Sequence, residues 1–454
     1  MTVLYFIDVV VIIGFVVSYF RNCYSKGYRL DFWYLFVFLN CIFVNCILYP
    51  FSKSSLNVIA LGGLYEQAAQ YSDQAFVICL FGYAGVLVGG RCWDLRLGIG
   101  VRRRVSGLLD LIPNQSLRLM NSEPTLLTQA MICLLLQALI LSIYFKEAGI
   151  AFDLRSYTMV NPSLRPLARF AADYSVLIAS HCLARFVDRR EPVMLLSTAS
   201  LGAGLLFFGA RGNIAEIFLM VGICWIVSLR QRIGILRLGM VAFVGLFIIF
   251  YVGMLRVGEY SPALVFVRMP IEIFFGNAFS DLRDFALVLS FWNGSLFLGK
   301  TYLAAVFAFV PRYLSPFRDT WSLGVVTATM AGFDPTEHPG LRPGAFGEAY
   351  LNFGLVAVTL MGAFMGVLLR RVDQGVKTAC TNGGIRMMRA FSYTLLIQVF
   401  SDVAVSSGFS SFYVMIGVFA VSGIIRGAFS LLAPPGKPAM RLAGNEKSLF
   451  SKSQ

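Results

Sequence analysis

Three features of the sequence predict an all-α polytopic membrane protein with about 11–13 transmembrane helices and a large extracytoplasmic loop. The 454 residues are 57% hydrophobic and 14% charged, with a mean hydropathy of +0.73. Apolar runs of spanning length recur along most of the chain. Lysines and arginines gather in alternate short linkers between those runs, as orientation signals do. This placement accounts for the net charge of +14 without invoking nucleic acid as a partner. The nine cysteines fall mostly inside apolar segments, with no CxxC or Cys/His metal spacing, and read as small core residues.

A spanning helix needs roughly 17–25 mostly apolar residues. Such runs lie near 2–20, 32–50, 74–90, 127–146, 167–186, 193–210, 213–229 and 238–255, then near 346–369, 390–408 and 411–430. The first, "VLYFIDVVVIIGFVVSYF", lacks a basic start and a small-residue cleavage site, so it reads as a spanning helix rather than a signal peptide. Basic residues mark 21–31, 91–126, 185–190, 230–237 and 370–389 as cytoplasmic, for example Arg21 and Arg29, Arg102 to Arg104, Arg189 and Arg190, and Arg370 and Arg371. The segments 51–73, 147–166, 210–213 and 256–345 then face outward. This divides the chain into an N-terminal bundle (1–255), a large periplasmic loop (256–345), C-terminal spans (346–430) and a basic tail (431–454).

The long loop balances seven basic against seven acidic residues and is interrupted by seven prolines. Its apolar patches, "FALVLSFWNGSLFLG" and "YLAAVFAFV", are short for spans and are expected to lie in the interface or to dip in and out. Signatures of soluble enzymes are absent: there is no GxxxxGK[ST], GxGxxG, HExxH, DxD or GxSxG. Any catalysis must use isolated polar groups at the outer membrane boundary, and these concentrate in 277–354. Arg283, Arg312 and Arg342 lie there, with Arg211 in a nearby tight turn as the only charge between Pro192 and Ala215. Arginine stays charged and its forked donors match phosphate oxygens, which suits a lipid-linked diphosphate. The alternative for each is pairing with a neighbouring carboxylate such as Asp281, Asp284, Asp319 or Glu337, or with lipid headgroups. His338 can take a proton near neutral pH, and Glu348 can do so if burial raises its pKa. A solvated loop histidine and a helix-dipole carboxylate are the competing readings. His181, within a spanning run, reads as a packed or capping residue.

At "GNAFSDLRDFA", "GKTYLAAVFAFVPR", "HPGLRPGAFGEAYLNFG" and, more loosely, "FGARGN", the sequence resembles the bacterial Wzy-type O-antigen and exopolysaccharide polymerases. The match covers some 80 residues. The resemblance implies a GT-C-like, metal-independent glycosyltransferase of the bacterial inner membrane, without cofactor, whose active site faces the periplasm. It implies that a growing chain on undecaprenyl diphosphate passes to the non-reducing end of a new lipid-linked repeat unit. Carried over, Arg211, Arg283, Arg312 and Arg342 hold the diphosphates, and His338 or Glu348 activates the acceptor hydroxyl. The implied partners are undecaprenyl-diphosphate-linked oligosaccharides and membrane lipid, with a chain-length regulator and a flippase. Two rival readings are an O-antigen ligase of the same architecture and a flippase for lipid-linked sugars. The flippase needs strongly polar residues deep inside several helices, whereas hydropathy places them mainly at the outer ends.

Overall fold

The computed structural model describes residues 2–24, 31–94, 99–149, 154, 157–158, 161, 163–208, 211–228, 235–255, 261–277, 279–310, 314–335, 338, 340–381, 386–406 and 409–432. Every regular element among them is helical. The helices that build the bundle are α1 (Thr2–Tyr19), α2 (Phe32–Val37, continued as a π-helix over Phe38–Ile47), α3 (Tyr65–Asp94), α4 (Ile99–Leu109), α5 (Leu111–Met120), α6 (Glu123–Ala148), α7 (Arg165–Arg189), α8 (Pro192–Phe207), α9 (Arg211–Ser228) and α10 (Ile235–Leu255). They continue with α11 (Pro262–Phe274), α12 (Asp281–Phe291), α13 (Lys300–Val306), α14 (Pro316–Trp321), α15 (Leu323–Met330), α16 (Gly344–Thr381), α17 (Arg386–Ala404) and α18 (Phe409–Leu432).

Ten of the eleven expected spans fall mainly within helices, with 209–210, 229 and 407–408 outside the described residues, whereas the run 346–369 is broken at Gly354. Among the described residues, six helices are long and apolar enough to cross a membrane: Val3–Cys23, Ser55–Asp94, Glu123–Ala148, Arg165–Arg189, Gly344–Cys380 and Ser411–Leu431. Local sequence sets their ends. Pro124 sits in the first turn of α6, where a missing N–H costs nothing, and Gly149 ends it at φ 73° with its N–H on the Phe145 carbonyl. The linker 91–126 folds into two further helices, α4 and α5.

α7 lies at the centre of one half, packed on α6, α8, α9, α17 and α18. The other half is built on α3 against α16, the most extensive helix pair in the protein. Small residues allow that approach: a Cβ at Gly85 would overlap the Thr359 carbonyl, and one at Gly89 or Gly366 would overlap the carbonyl of Ala363 or Val86. Close backbone approach of this kind is how helices associate where lipid removes the hydrophobic driving force. One hydrophobic core runs from Cys23 to Val418, so the stretches 1–255, 256–345 and 346–430 interleave, and a smaller cluster joins α10 to α11 through Phe250, Met254, Val265 and Met269.

α16 is broken at Gly354, where the backbone takes φ 76° and ψ −167°. The Phe346 ring lies 2.7 Å from where a Gly82 Cβ would stand, and a Cβ at Gly362 would overlap the Gly82 carbonyl. A straight helix would separate 346 from 362 by ~24 Å. The segment before Gly354 therefore folds back along the segment after it. The break orphans helix carbonyls, and the chain at 297–299 satisfies them: Phe297 N donates to Leu351 O at 2.9 Å and Leu298 N to Asn352 O at 3.0 Å. Leu298 adopts φ 52° to do so, a conformation that disfavours a side chain.

Four of the five linkers expected on one side meet at one end of the bundle, and most of the fifth, 230–237, lies outside the described residues. Lys377 bonds to Asp31 at 2.8 Å, Arg370 to Asp94 at 3.2 Å and Arg371 to Asp110, while Asp188 accepts from Met387 N and Met388 N at 2.8 and 2.9 Å. The segment 261–335 collects elsewhere, against 43–51 and 404–413, through Phe43–Phe279, Phe51–Phe274 and Tyr302 Oη on Ala404 O. The patch "FALVLSFWNGSLFLG" is expected to lie in the interface or to dip in and out, but its first part is core: all eight residues Leu282–Leu289 of α12 are buried, while Asn293–Leu296 and Leu298 are exposed. A helix apolar on every side finds its partners in protein as readily as in lipid, and hydropathy does not separate the two. Residues 433–454 of the tail lie outside the described residues.

Packing at the α3–α16 seam generates a test. Gly89→Leu should destabilise the protein by about 1–3 kcal/mol through overpacking, read as a lower unfolding midpoint in detergent. Gly202→Leu, which faces open space, should leave the midpoint near wild type.

Candidate functional site

The fold-back of α16 places Glu348 in the interior. It is fully buried, its Oε1 accepts from Thr301 Oγ1 at 2.6 Å, and its Oε2 accepts from Ser406 N at 2.8 Å. Asn352, one turn on, donates from Nδ2 to Thr301 Oγ1 at 2.8 Å and accepts at Oδ1 from Gly299 N at 3.0 Å. Glu348 and Asn352 thus tie together three segments distant in sequence: the folded-back helix, the start of α13 and the end of α17. Neither residue lines a cavity described below.

A second polar cluster forms where α11 ends, α12 begins and α16 begins. Arg283 is buried: Nη1 donates to Phe275 O at 2.7 Å and Gly276 O at 3.2 Å, and Nη2 to Asn277 Oδ1 at 2.7 Å and Asp284 Oδ1 at 3.3 Å. It satisfies the carbonyls that α11 leaves open at its C-terminus, a position favourable to a cation. Its Nε is buried without a hydrogen-bond partner. Asp284 joins the pair from below, accepting at Oδ2 from Ser280 Oγ at 2.8 Å and from Arg342 N at 3.3 Å.

Arg342 is exposed, in the turn that leads into α16. Its Nη2 donates to Asn277 O and, at 3.1 Å, to Ser280 Oγ, while Nε and Nη1 meet no partner among the described residues. Beside it stands Asp281, in the first turn of α12. The Asp281 side chain keeps some exposure, yet enough protein surrounds it that burial pushes its carboxyl up from 3.8 to about 6; Arg342 opposes the shift and Asp284 adds to it. Asp281 lines a cavity of about 220 Å³ with Asn45, Cys79, Pro343, Gly344 and Ser401. The structure therefore places one carboxyl on the wall of a cavity, with a partly free guanidinium close enough to act on its charge but outside the cavity lining.

His338 lies half-buried in the loop before this turn. Its ring stacks on Phe333 with centroids 4.4 Å apart, and Nδ1 accepts from Gly340 N at 3.1 Å, which leaves the proton of the neutral ring on Nε2. Arg312 lies outside the described residues. Arg211 opens α9, and its side chain likewise lies outside the description. Asp281 was foreseen only as a partner for arginine, because nothing in the string "SDLRD" shows which of its carboxylates faces a cavity. His181 is buried between Ser116 Oγ at 2.9 Å and Leu177 O at 2.7 Å, as a packed residue would be.

Polar groups also lie deeper than hydropathy suggested. Asp173 bonds Ser411 Oγ at 3.0 Å, and with Glu216 and Gln398 lines an internal cavity of about 70 Å³ between α7, α9, α17 and α18. Comparison with family models, with curated proteins and with solved structures returns no match to this chain.

Two outcomes follow from the geometry. Glu348→Gln turns an amide N–H toward a donor that the carboxylate accepted from, and should cost about 1–3 kcal/mol, seen as a lower unfolding midpoint. Because the folded Asp281 carboxyl titrates near 6 rather than 3.8, the folded state holds that proton more tightly. Its contribution to stability is present at low pH and is lost as pH rises through about 6. The unfolding midpoint of Asp281→Asn should lack this component, and identical profiles for the two proteins would remove Asp281 from the electrostatics of the cluster.

Proposed function

We propose that this chain is a metal-independent glycosyltransferase that polymerises undecaprenyl-diphosphate-linked oligosaccharide repeat units into O-antigen or exopolysaccharide. It acts at the periplasmic face of a bacterial inner membrane, passing the growing chain to the non-reducing end of a new lipid-linked unit. The observation that carries this reading is the Asp281 carboxyl on the 220 Å³ cavity with the Arg342 charge near enough to act on it, within the segment that resembles the polymerases.

Transfer requires two things at once: a base within reach of the acceptor hydroxyl and a cation on the departing diphosphate. Asp281 accepts the hydroxyl proton as the acceptor oxygen bonds to the anomeric carbon. The bond from that carbon to the diphosphate oxygen breaks, and Arg342 stabilises the departing undecaprenyl diphosphate through its unpartnered Nε and Nη1. Arg312 and Arg211 remain further cations for the diphosphates, and His338, whose Nδ1 lone pair is taken by Gly340 N, can donate from Nε2–H. Arg283, engaged through Nη1 and Nη2, and Glu348, engaged through both carboxylate oxygens, hold the segments that carry the reacting groups. An O-antigen ligase would use the same groups with a different acceptor. The flippase reading gains one observation, the internal cavity lined by Asp173, Glu216 and Gln398.

The deciding experiment is a polysaccharide gel from cells that lack the protein, complemented with wild type, Arg342→Ala, Asp281→Asn or His338→Ala at matched membrane levels. Single-repeat product without ladders in the empty strain is the expected result. Arg342→Ala and Asp281→Asn should each slow chain growth by about 10²-fold or more. Loss of the single-repeat product in the empty strain would favour the flippase, and normal ladders from both variants would defeat the proposed site.

A further inference from the structure

A larger cleft, of about 450 Å³, opens between α12, α13, α14 and α15, none of which is among the candidate spans. Two tryptophans form its walls. Trp292 is fixed by Nε1 donating to Ser295 O at 2.8 Å and by an edge contact with Tyr350 at 5.4 Å, and Trp321 by an edge contact with Phe297 at 5.9 Å. Both rings are therefore set before any ligand arrives, which lowers the ordering cost of binding. Around them lie groups able to meet hydroxyls. Asn293 uses Oδ1 on Ser295 N, leaving its amide N–H₂ to donate, and Thr320 gives its proton to Pro316 O, leaving its oxygen to accept. Thr329 lies exposed on the rim.

The cleft has one charge among its lining residues, Lys300. Its Nζ stands 4.2 Å from the centre of the Trp321 ring, and no carboxylate pairs with it among the described residues. A lipid chain would leave the amide and hydroxyls unmatched, and a neutral ligand would leave the ammonium without a counter-charge. A pyranose matches rings on its C–H face and polar groups on its hydroxyl edge, and a carboxylate on that sugar matches Lys300. We infer that the Trp292–Trp321 cleft is a glycan-binding subsite selective for an acidic sugar, with Lys300 as the carboxylate-recognising residue. The inference deepens the glycosyltransferase reading and rests on it for where the glycan comes from. The cleft borders the last turn of α12, whose first turn carries Asp281, ~15 Å away along the helix, a distance that a chain of a few sugars can span.

The test is calorimetric titration of the full-length protein in nanodiscs with two soluble probes, tetragalacturonate and maltotetraose. Wild type should bind the acidic probe about tenfold more tightly, the scale of one charge-assisted hydrogen bond. Lys300→Met should equalise the two probes and Lys300→Arg should preserve the preference. Trp321→Ala should weaken both by up to about tenfold, and Trp321→Phe, which keeps a ring and the fold, should retain most of the affinity. Absence of binding to wild type, equal affinity for the two probes, or full binding by Trp321→Ala and Lys300→Met would each overturn the inference. Binding needs no lipid-linked substrate and no turnover, so the two readings fail separately. Tetragalacturonate binding with unchanged ladders in the deletion strain would sink only the polymerase, and ladder loss without binding would sink only the cleft.

Discussion

The arrangement of the polar half of this protein depends on the helix break at Gly354. Ending a helix inside a bundle leaves carbonyl oxygens that neither lipid nor apolar side chains can satisfy, at a cost of several kcal/mol each. The carbonyls of Leu351 and Asn352 take the N–H groups of Phe297 and Leu298 instead. One constraint thereby fixes two things: the fold-back of the 344–353 segment and the path of the chain entering α13. The left-handed Leu298 is a local strain accepted within that exchange, and the buried Glu348–Thr301–Asn352 network locks the same junction through side chains.

Once the junction is fixed, the two arginines that the sequence presents as equals fall into different roles. Arg283 points inward and spends its guanidinium on the carbonyls at the end of α11 and on Asp284. Arg342 points outward and keeps part of its guanidinium unpartnered. The difference is one of geometry alone, since both side chains are equally able to hold a phosphate oxygen. Asp284 sits between them, holding the Arg342 backbone with one oxygen and the Arg283 side chain with the other. A guanidinium spent within the protein and one that keeps free donors are here joined by a single shared carboxylate.

The seam between α3 and α16 is the mechanical counterpart of this junction. Glycines on both helices let backbones touch, so the second half of α16 is held tightly while the first half folds over it and sets Phe346 against Gly82. The cavity lined by Asp281 opens where that folded segment, α2, α3 and α17 meet. Packing by small residues therefore makes room for polar chemistry in a protein that otherwise has little.

The sequence by itself determined the class and much of the layout. Apolar runs such as 127–146 and 411–430 are helices because their composition leaves no other way to satisfy the backbone in lipid, and basic linkers such as 370–389 and 185–190 meet at one end as their charge pattern predicts. Composition also directed attention to 277–354, where the polar clusters do lie. Only the tertiary structure decided that α12 is core rather than interfacial, because hydropathy scores a lipid-facing and a protein-facing leucine alike. It also decided that Glu348 and Arg283 are enclosed while Arg342 and Asp281 face open space, because enclosure is set by residues such as Ser406, Thr301 and Asn277 on separate elements. The cleft between Trp292 and Trp321 was hidden for the same reason: two rings 29 positions apart become one site only when the chain from the end of α12 to α15 folds around a common cleft.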